Sequence, residues 1–269
     1  MIPELFVEAA SDVGMERALN EDSVQVFRTI EGPTYLVVCD GMGGHEGGRI
    51  ASRVAADTLV ASLQLDEDAP PHVAIAEALF RANEEVFETA LRMGAPNMGT
   101  TAVVAWVNGA NYWLGWAGDS RLYHLREGEV IFRTKDHSRV QEMVDRGILS
   151  LEGARGHPQA HLLTMVLGGT PEARARFQPS VYGEPFALEP GDLLMLCSDG
   201  LSDEIEDSEF APLIAGLDLD AAAAKLVEEA NARGGHDNIS VVLACVGQSS
   251  IPAWRPSTPT QPSSAEERG

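Results

Sequence analysis

The sequence predicts an α+β fold with mostly antiparallel sheets, and three observations carry that prediction. Short runs rich in β-branched and aromatic residues recur along most of the chain. Two long amphipathic helical stretches stand together between the second and third of those runs, rather than alternating with strands one by one as a βαβ order requires. Gly and Asn separate several neighbouring runs so closely that tight hairpin turns suit them best.

Taken in order, strands are expected at residues 24–27 and 35–39. A helix is expected at 47–65, where Ile50, Val54, Ala55, Leu59 and Leu63 share one face. A second is expected at 72–93, with Val73, Ala76, Leu79, Phe80, Val86, Phe87 and Leu91 on its apolar face. Consecutive amphipathic helices of this length pair and cover a sheet. The runs 101–107, 112–116, 121–125 and 130–133 follow, with Asn108-Gly109-Ala110-Asn111 and Glu127-Gly128 between them, so an antiparallel meander is expected across 101–133. A shorter helix at 139–146, a strand at 192–197, a helix at 221–231 and a strand at 239–246 complete the pattern. Residues 248–269, rich in Ser, Pro, Thr and Gln, cannot bury enough apolar surface to offset ordering entropy, and read as a disordered tail after one domain over 1–247.

Composition narrows the function. A hydrophobic content of 44% in 269 residues is ample for a packed core. The 41 acidic residues against 19 basic ones give a net charge of −22, which argues against a nucleic-acid backbone or an anionic membrane surface as partner. Cys39, Cys197 and Cys245 lie inside apolar runs without paired short spacing, as small buried hydrophobes do in a reducing compartment. The start Met1-Ile2-Pro3-Glu4-Leu5 is not a secretion signal, and no apolar run reaches about 18 residues, so the expected location is the cytoplasm, unanchored.

The chemistry sits in short polar segments. Asp22, Asp40, Asp199 and Asp237 each lie beside an apolar run in a segment bearing Gly or Asn, the kind of place where a strand ends and a side chain projects into a site. Carboxylates gathered without partners repel, so their convergence implies bound cations. In Asp40-Gly41-Met42-Gly43-Gly44-His45 both the Asp40 side chain and the backbone carbonyls are available to an oxygen-seeking cation. Arg17, close to Asp12, Glu21 and Asp22, can hold phosphate oxygens in a bidentate fork; the alternative is a loop salt bridge to Glu21 or Asp12. The P-loop and dinucleotide glycine patterns are absent, which disfavours nucleotide binding.

Together the segments resemble one family, the metal-dependent protein serine/threonine phosphatases of type 2C in their small single-domain bacterial form. The resemblance runs over about residues 5–247 and rests on Ser11-Asp12-x-Gly14-x-x-Arg17-x-x-Asn20-Glu21-Asp22, Asp40-Gly41-Met42-Gly43-Gly44-His45, Gly99-Thr100-Thr101, Gly118-Asp119-Ser120-Arg121, Asp136-His137-Ser138, Ser198-Asp199-Gly200-Leu201-Ser202-Asp203 and Asp237-Asn238-Ile239. It implies two central antiparallel sheets packed face to face and flanked by helical pairs, a four-layer αββα arrangement.

It also implies a two-metal centre filled by Mn²⁺ or Mg²⁺. By that likeness Asp40 bridges the ions, the Gly41 carbonyl binds one, Asp199 and Asp237 bind the other, and Asp22 and Glu21 act mainly through water, Glu21 from the outer shell. A third, weaker site would use Asp119 and Asp199; the alternative for Asp119 is a hairpin-turn residue paired with Arg121. Asp203 is either a further outer ligand or the start of a helix. The implied reaction is attack on phosphorus by a water that the cations acidify, with Arg17 orienting the phosphoryl group. The implied partners are phosphorylated Ser/Thr proteins and an opposing Ser/Thr protein kinase, with a monomer as the family default; the alternative is a catalytically silent phosphoprotein-binding relative. Met42 stands where eukaryotic relatives carry a histidine thought to protonate the leaving oxygen, so metal-bound water, His45 or another group serves, or the step needs little acid help. His137 and His236 read as local hydrogen-bonding residues, and 138–169 as a flap bordering the site.

Overall fold

A computed structural model describes residues 4–30, 32–44, 46–66 and 68–254. The first half forms β1 (Leu5–Asp12), β2 (Asp22–Arg28), β3 (Thr34–Met42), α1 (Glu46–Leu65), α2 (Pro71–Met93), β4 (Gly99–Thr100), β5 (Ala102–Asn108), β6 (Asn111–Ala117), β7 (Arg121–Arg126) and β8 (Glu129–Arg133). The second half forms α3 (Arg139–Asp145), α4 (Leu151–Ala154), β9 (Leu167–Gly168), α5 (Pro171–Ala175), β10 (Ser180–Val181), β11 (Phe186–Ala187), β12 (Leu193–Cys197), α6 (Asp199–Ser202), α7 (Asp207–Ile214), α8 (Leu219–Arg233) and β13 (Ile239–Val246).

The strands make two antiparallel sheets. A five-stranded sheet runs β1-β13-β12-β7-β8; the other follows β10-β6-β5-β3-β4-β9, with β2 paired to β3 and β11 to β6. Strand alternation explains why they stack. Leu36 and Val38 of β3 share a core with Leu122, Leu194, Leu196, Val242 and Ala244 of the opposite sheet, while Tyr35, Val37 and Cys39 point away onto α1 and α2. In β12 the same period turns Leu193, Met195 and Cys197 toward α7 and α8. Strands covered on both faces are unbroken apolar runs, as the sequence displays them. The four-layer αββα expectation is met.

Three local expectations are corrected. The meander over 101–133 is two hairpins in different sheets: β5 pairs with β6 and β7 with β8, but the chain leaves one sheet at Ala117 and enters the other at Arg121. Gly118 makes that crossing at φ +106°, where a Cβ would stand 2.5 Å from the Thr101 methyl carbon. On α2, Val73, Phe80 and Leu91 are exposed; Leu79, Val86 and Phe87 are buried as expected, and Ala74, Ile75, Ala78, Ala82 and Ala90 complete the buried apolar face. Small residues there meet Ala51, Ala55 and Ala56 of α1 in one core, and close helix approach selects them over bulk. β1, recruited by β13 along its whole length, was invisible because Glu8, Ala9 and Ala10 break the β-branched signal.

The domain also runs past 247. Ile251 is 2% exposed in the core beneath α7 and α8; its N–H donates to Leu217 O at 2.8 Å and its carbonyl accepts from Gly216 N at 3.2 Å. Trp254 packs over Gly128. From residue 255 onward the expected tail lies outside the described residues. Deletion from residue 248 is therefore expected to cost about 2–5 kcal/mol in urea unfolding, the usual loss for a buried aliphatic side chain, whereas deletion from 255 is expected to be neutral. Equal midpoints for the two truncations would contradict the packing of Ile251.

Candidate active site

The acidic residues singled out in the sequence meet at one end of the two sheets. Asp22 opens β2 directly opposite Asp40, which lies near the end of β3. Asp199 begins α6 straight after β12, Asp237 precedes β13, and Asp119 stands at the crossing between β6 and β7. Long-range pairing of β12 with β13 and of β2 with β3 thus converts segments distant in sequence into neighbours.

Small polar side chains fix the positions. The Asp40 N–H donates to Thr101 Oγ1 at 3.0 Å. The Asp40 carbonyl accepts from Thr100 Oγ1 and from Thr101 N, each at 2.8 Å. Thr101 Oγ1 lies 2.6 Å from Ser120 Oγ, tying the Asp40 strand to the crossing that carries Asp119. Ser198 Oγ donates to Asp22 Oδ2 at 2.7 Å and accepts from Ser240 N at 3.0 Å. At Gly41 a Cβ would lie 2.1 Å from the Gly48 carbonyl oxygen, so only glycine lets the end of β3 approach the start of α1 this closely. The Glu21 carboxylate lies beside Gly48 at the same junction.

The electrostatics are those of a crowded anionic centre. Burial, then Asp199, Asp22 and Asp119, push the Asp40 carboxyl well above the usual carboxylate range. Asp199 is raised likewise by burial and by Asp119, Asp203 and Asp237. Burial, opposed by the Ser240 and Ser198 hydroxyls and reinforced by Asp237 and Glu21, lifts Asp22 to about 6. Asp119 rises to about 7 through burial and its neighbours Asp136 and Asp203. Asp40 and Asp199 lie close enough for each carboxyl to act on the other, which disfavours charge on both at once. Arg17 Nη2 pairs with Asp237 Oδ2 at 2.7 Å, and this side chain stays 52% exposed.

Among the described residues no group of three or more His, Cys, Asp or Glu side chains is closed into a ready ion cage. The Arg17 guanidinium on Asp237 offsets part of the charge that a cation would offset. Two observations fit a cation nevertheless. The Oδ1 atoms of Asp22 and Asp199 are buried without a hydrogen-bond partner. The gathered side chains are all oxygen donors, with no thiolate or imidazole among them, which suits hard divalent ions.

The surrounding residues resolve the remaining alternatives. Arg121 forks onto Asp136 at 2.8 and 2.7 Å rather than pairing with Asp119. It also donates to the Tyr123 hydroxyl at 3.1 Å, which in turn donates to Asp207 at 3.0 Å. Asp203 caps the end of α6 instead of starting a helix, and its carboxyl is raised chiefly by burial. His137 accepts from Gly118 N at 3.1 Å and stacks on Trp116, and His236 lies 2.6 Å from Glu204 Oε1, so both are local hydrogen-bonding residues. His45 lies outside the described residues. The 138–169 segment borders the site where Arg155 Nη2 donates to the Asp203 and Ser202 carbonyls at 2.9 and 3.4 Å. Sequence reasoning gave no role to Ser198, Thr101 or Asn238, although each lies inside one of the segments that carry the resemblance.

The profile of the family described as protein phosphatase 2C matches residues 15–234. The chain belongs to that family. PstP of Mycobacterium tuberculosis, a serine/threonine protein phosphatase, is 36% identical over 242 residues, spanning 88% of this chain and 44% of that protein. PhpP of Streptococcus pneumoniae, a protein phosphatase, is 33% identical over 246 residues, spanning 90% of this chain and 98% of that one. The chain therefore spans less than half the length of PstP but nearly all of PhpP. The catalytic domain of PstP, solved in complex with two manganese ions, matches with a TM-score of 0.73 and 32% identity over 91% of this chain and 99% of that one.

Proposed function

We propose that the protein is a metal-dependent protein serine/threonine phosphatase that hydrolyses phosphoserine and phosphothreonine monoesters with Mn²⁺ or Mg²⁺. The observation that carries this reading is the convergence of Asp22, Asp40 and Asp199, with two orphaned carboxylate oxygens, beside a half-exposed Arg17. Asp40, the Gly41 carbonyl, Asp22, Asp199 and Asp237 would hold two ions, with Glu21 in the outer shell and Asp119 with Asp199 available to a weaker third. When bound, such ions acidify a water and offset charge on phosphoryl oxygens. With Asp237 taken up by a cation, the Arg17 guanidinium would be left to hold the phosphoryl group. Met42 has no proton to give, so the leaving oxygen takes one from water or from His45.

All the carboxylates needed for metal are present, which favours an active enzyme over a silent phosphoprotein-binding relative. The partners are phosphorylated Ser/Thr proteins, including an opposing Ser/Thr protein kinase, rather than nucleic acid or membrane. No helix among the described residues is long and apolar enough to cross a membrane. The buried free cysteines Cys39, Cys197 and Cys245 suit a reducing compartment, and we place a monomer in the cytoplasm on that chemistry and on the family resemblance.

Metal-stripped protein, titrated with Mn²⁺ and with Mg²⁺, is expected to hydrolyse p-nitrophenyl phosphate and a phosphothreonine peptide only when cation is present. Full activity in chelator, or none in folded and metal-loaded protein, would overturn the reading. Arg17→Ala is expected to raise KM for the phosphopeptide about 10- to 100-fold, the worth of a charge-assisted hydrogen bond of about 1.5–3 kcal/mol. Unchanged kinetics would remove Arg17 from the site.

A further inference from the structure

Asn238 follows a metal-ligand candidate, but its side chain works elsewhere. It is 4% exposed, and its carboxamide reaches the loop between β1 and β2. Its Oδ1 accepts from Glu21 N at 2.8 Å, while Nδ2 donates to Val13 O at 2.8 Å and to Leu19 O at 2.9 Å. Both amide hydrogens and the carbonyl of the side chain are thereby used. Val13 and Leu19 to Glu21 are the two ends of the loop, and Arg17 lies between them.

Three other contacts tie this loop. Gly14 N donates to Asp12 Oδ1 at 2.9 Å, Met15 N to Gly235 O at 2.7 Å, and Asn20 Nδ2 to Ser11 Oγ at 2.8 Å. The Asn20–Ser11 bond also joins the two ends, from within the same segment, whereas Asn238 grips both ends from a distant segment with one side chain. Its backbone N–H also donates to Asp237 Oδ1 at 2.8 Å, orienting the carboxylate whose other oxygen meets Arg17. One residue thus holds both members of the Arg17–Asp237 contact.

We propose that Asn238 is a positioning residue for phosphate recognition: its carboxamide closes the loop so that the Arg17 guanidinium is presented to the phosphoryl group. This rests on the phosphate-binding reading of Arg17. The grip depends on the amide and not only on its size. Asn238→Asp keeps an acceptor for Glu21 N but turns a negative charge toward the carbonyls of Val13 and Leu19.

The test is a double-mutant cycle over wild type, Asn238→Ala, Arg17→Ala and the double variant. It is read by calorimetric titration of Mg²⁺-loaded protein with inorganic phosphate and by KM and kcat on a phosphothreonine peptide. Asn238→Ala is expected to weaken phosphate binding and raise KM about tenfold, as the loss of two or three loop hydrogen bonds implies, with a smaller change in kcat. In the Arg17→Ala background the same substitution is expected to weaken phosphate binding no further, because what it positioned is gone. Asn238→Asp is expected to reproduce the loss in the wild-type background. Equal losses with and without Arg17 would overturn the proposal, as would failure of both Asn238 variants to fold by circular dichroism, which would make Asn238 a requirement of the fold itself. A phosphate affinity untouched by Arg17→Ala alone would instead sink the reading of Arg17, so the two failures are distinguishable.

Discussion

Asp40→Asn is expected to cut kcat by on the order of a thousandfold or more, the scale on which removal of a preorganised charge-stabilising group is felt, while raising the melting temperature of the metal-free protein. The two effects share one cause. Asp40 is surrounded by Asp199, Asp22 and Asp119, and burial together with their charges raises its carboxyl well above the ordinary range. An asparagine amide carries no charge and removes one desolvated acid from this group. Relief of that repulsion favours the folded chain. A cation, however, gains its attraction from the same charge and loses a ligand when it goes. Steady-state hydrolysis of p-nitrophenyl phosphate with saturating Mn²⁺, beside circular dichroism and calorimetric melting in chelator, separates the effects. Near-normal turnover in a folded variant would remove Asp40 from catalysis, and a lower metal-free melting temperature would refute the repulsion account.

The layers were legible because both physical signals act locally. Of the doubly covered strands, β12 is apolar at every position and β13 at every position but Ser240, and α1 and α2 carry a helical period. What the sequence hid depends on distant partners. Gly118-Asp119-Ser120 has the composition of a hairpin turn, and only the placement of β7 beside β12 makes it a crossing between sheets. Bulk misled on α2, where Phe80 and Leu91 look like core residues but contact between the helices selects alanine. At the site, each aspartate announces itself beside Gly or Asn, whereas the Arg17–Asp237 pair joins residues 220 apart in sequence, beyond any local pattern. Ser198, Thr101 and Asn238 carry no distinctive chemistry of their own. Their roles come from the atoms that the fold sets within hydrogen-bond reach.

In chelator, stability is expected to fall as pH rises from about 4 to about 8, contrary to the usual behaviour of paired carboxylates. Asp22 is raised from 3.8 to about 6 and Asp119 from 3.8 to about 7, with Asp40 and Asp199 raised as well. A carboxyl whose folded value exceeds its unfolded one binds its proton more tightly in the fold. Its contribution is therefore complete below the unfolded value and is lost as pH climbs through the folded one, here across about 4 to 7. Taken singly, Asp22 is worth about 3 kcal/mol and Asp119 about 4 kcal/mol, and because the carboxyls of the site are coupled the contributions do not simply add. At about 2–4 °C per kcal/mol for a domain of this size, the melting temperature should drop by several degrees. Lowered carboxylates act in another window: Asp192, held down against burial by Arg126, the Glu189 N–H and His124, loses its contribution only as pH falls below the ordinary 3.8. Mn²⁺ competes with the protons of the raised group, so its stabilisation should grow with pH and flatten or reverse the decline. Melting curves from pH 4.5 to 8, with chelator and with Mn²⁺, test both halves. A metal-free melting temperature that rises over this range would mean that the carboxylates are not crowded as described, and a Mn²⁺ effect independent of pH would mean that the cation binds elsewhere.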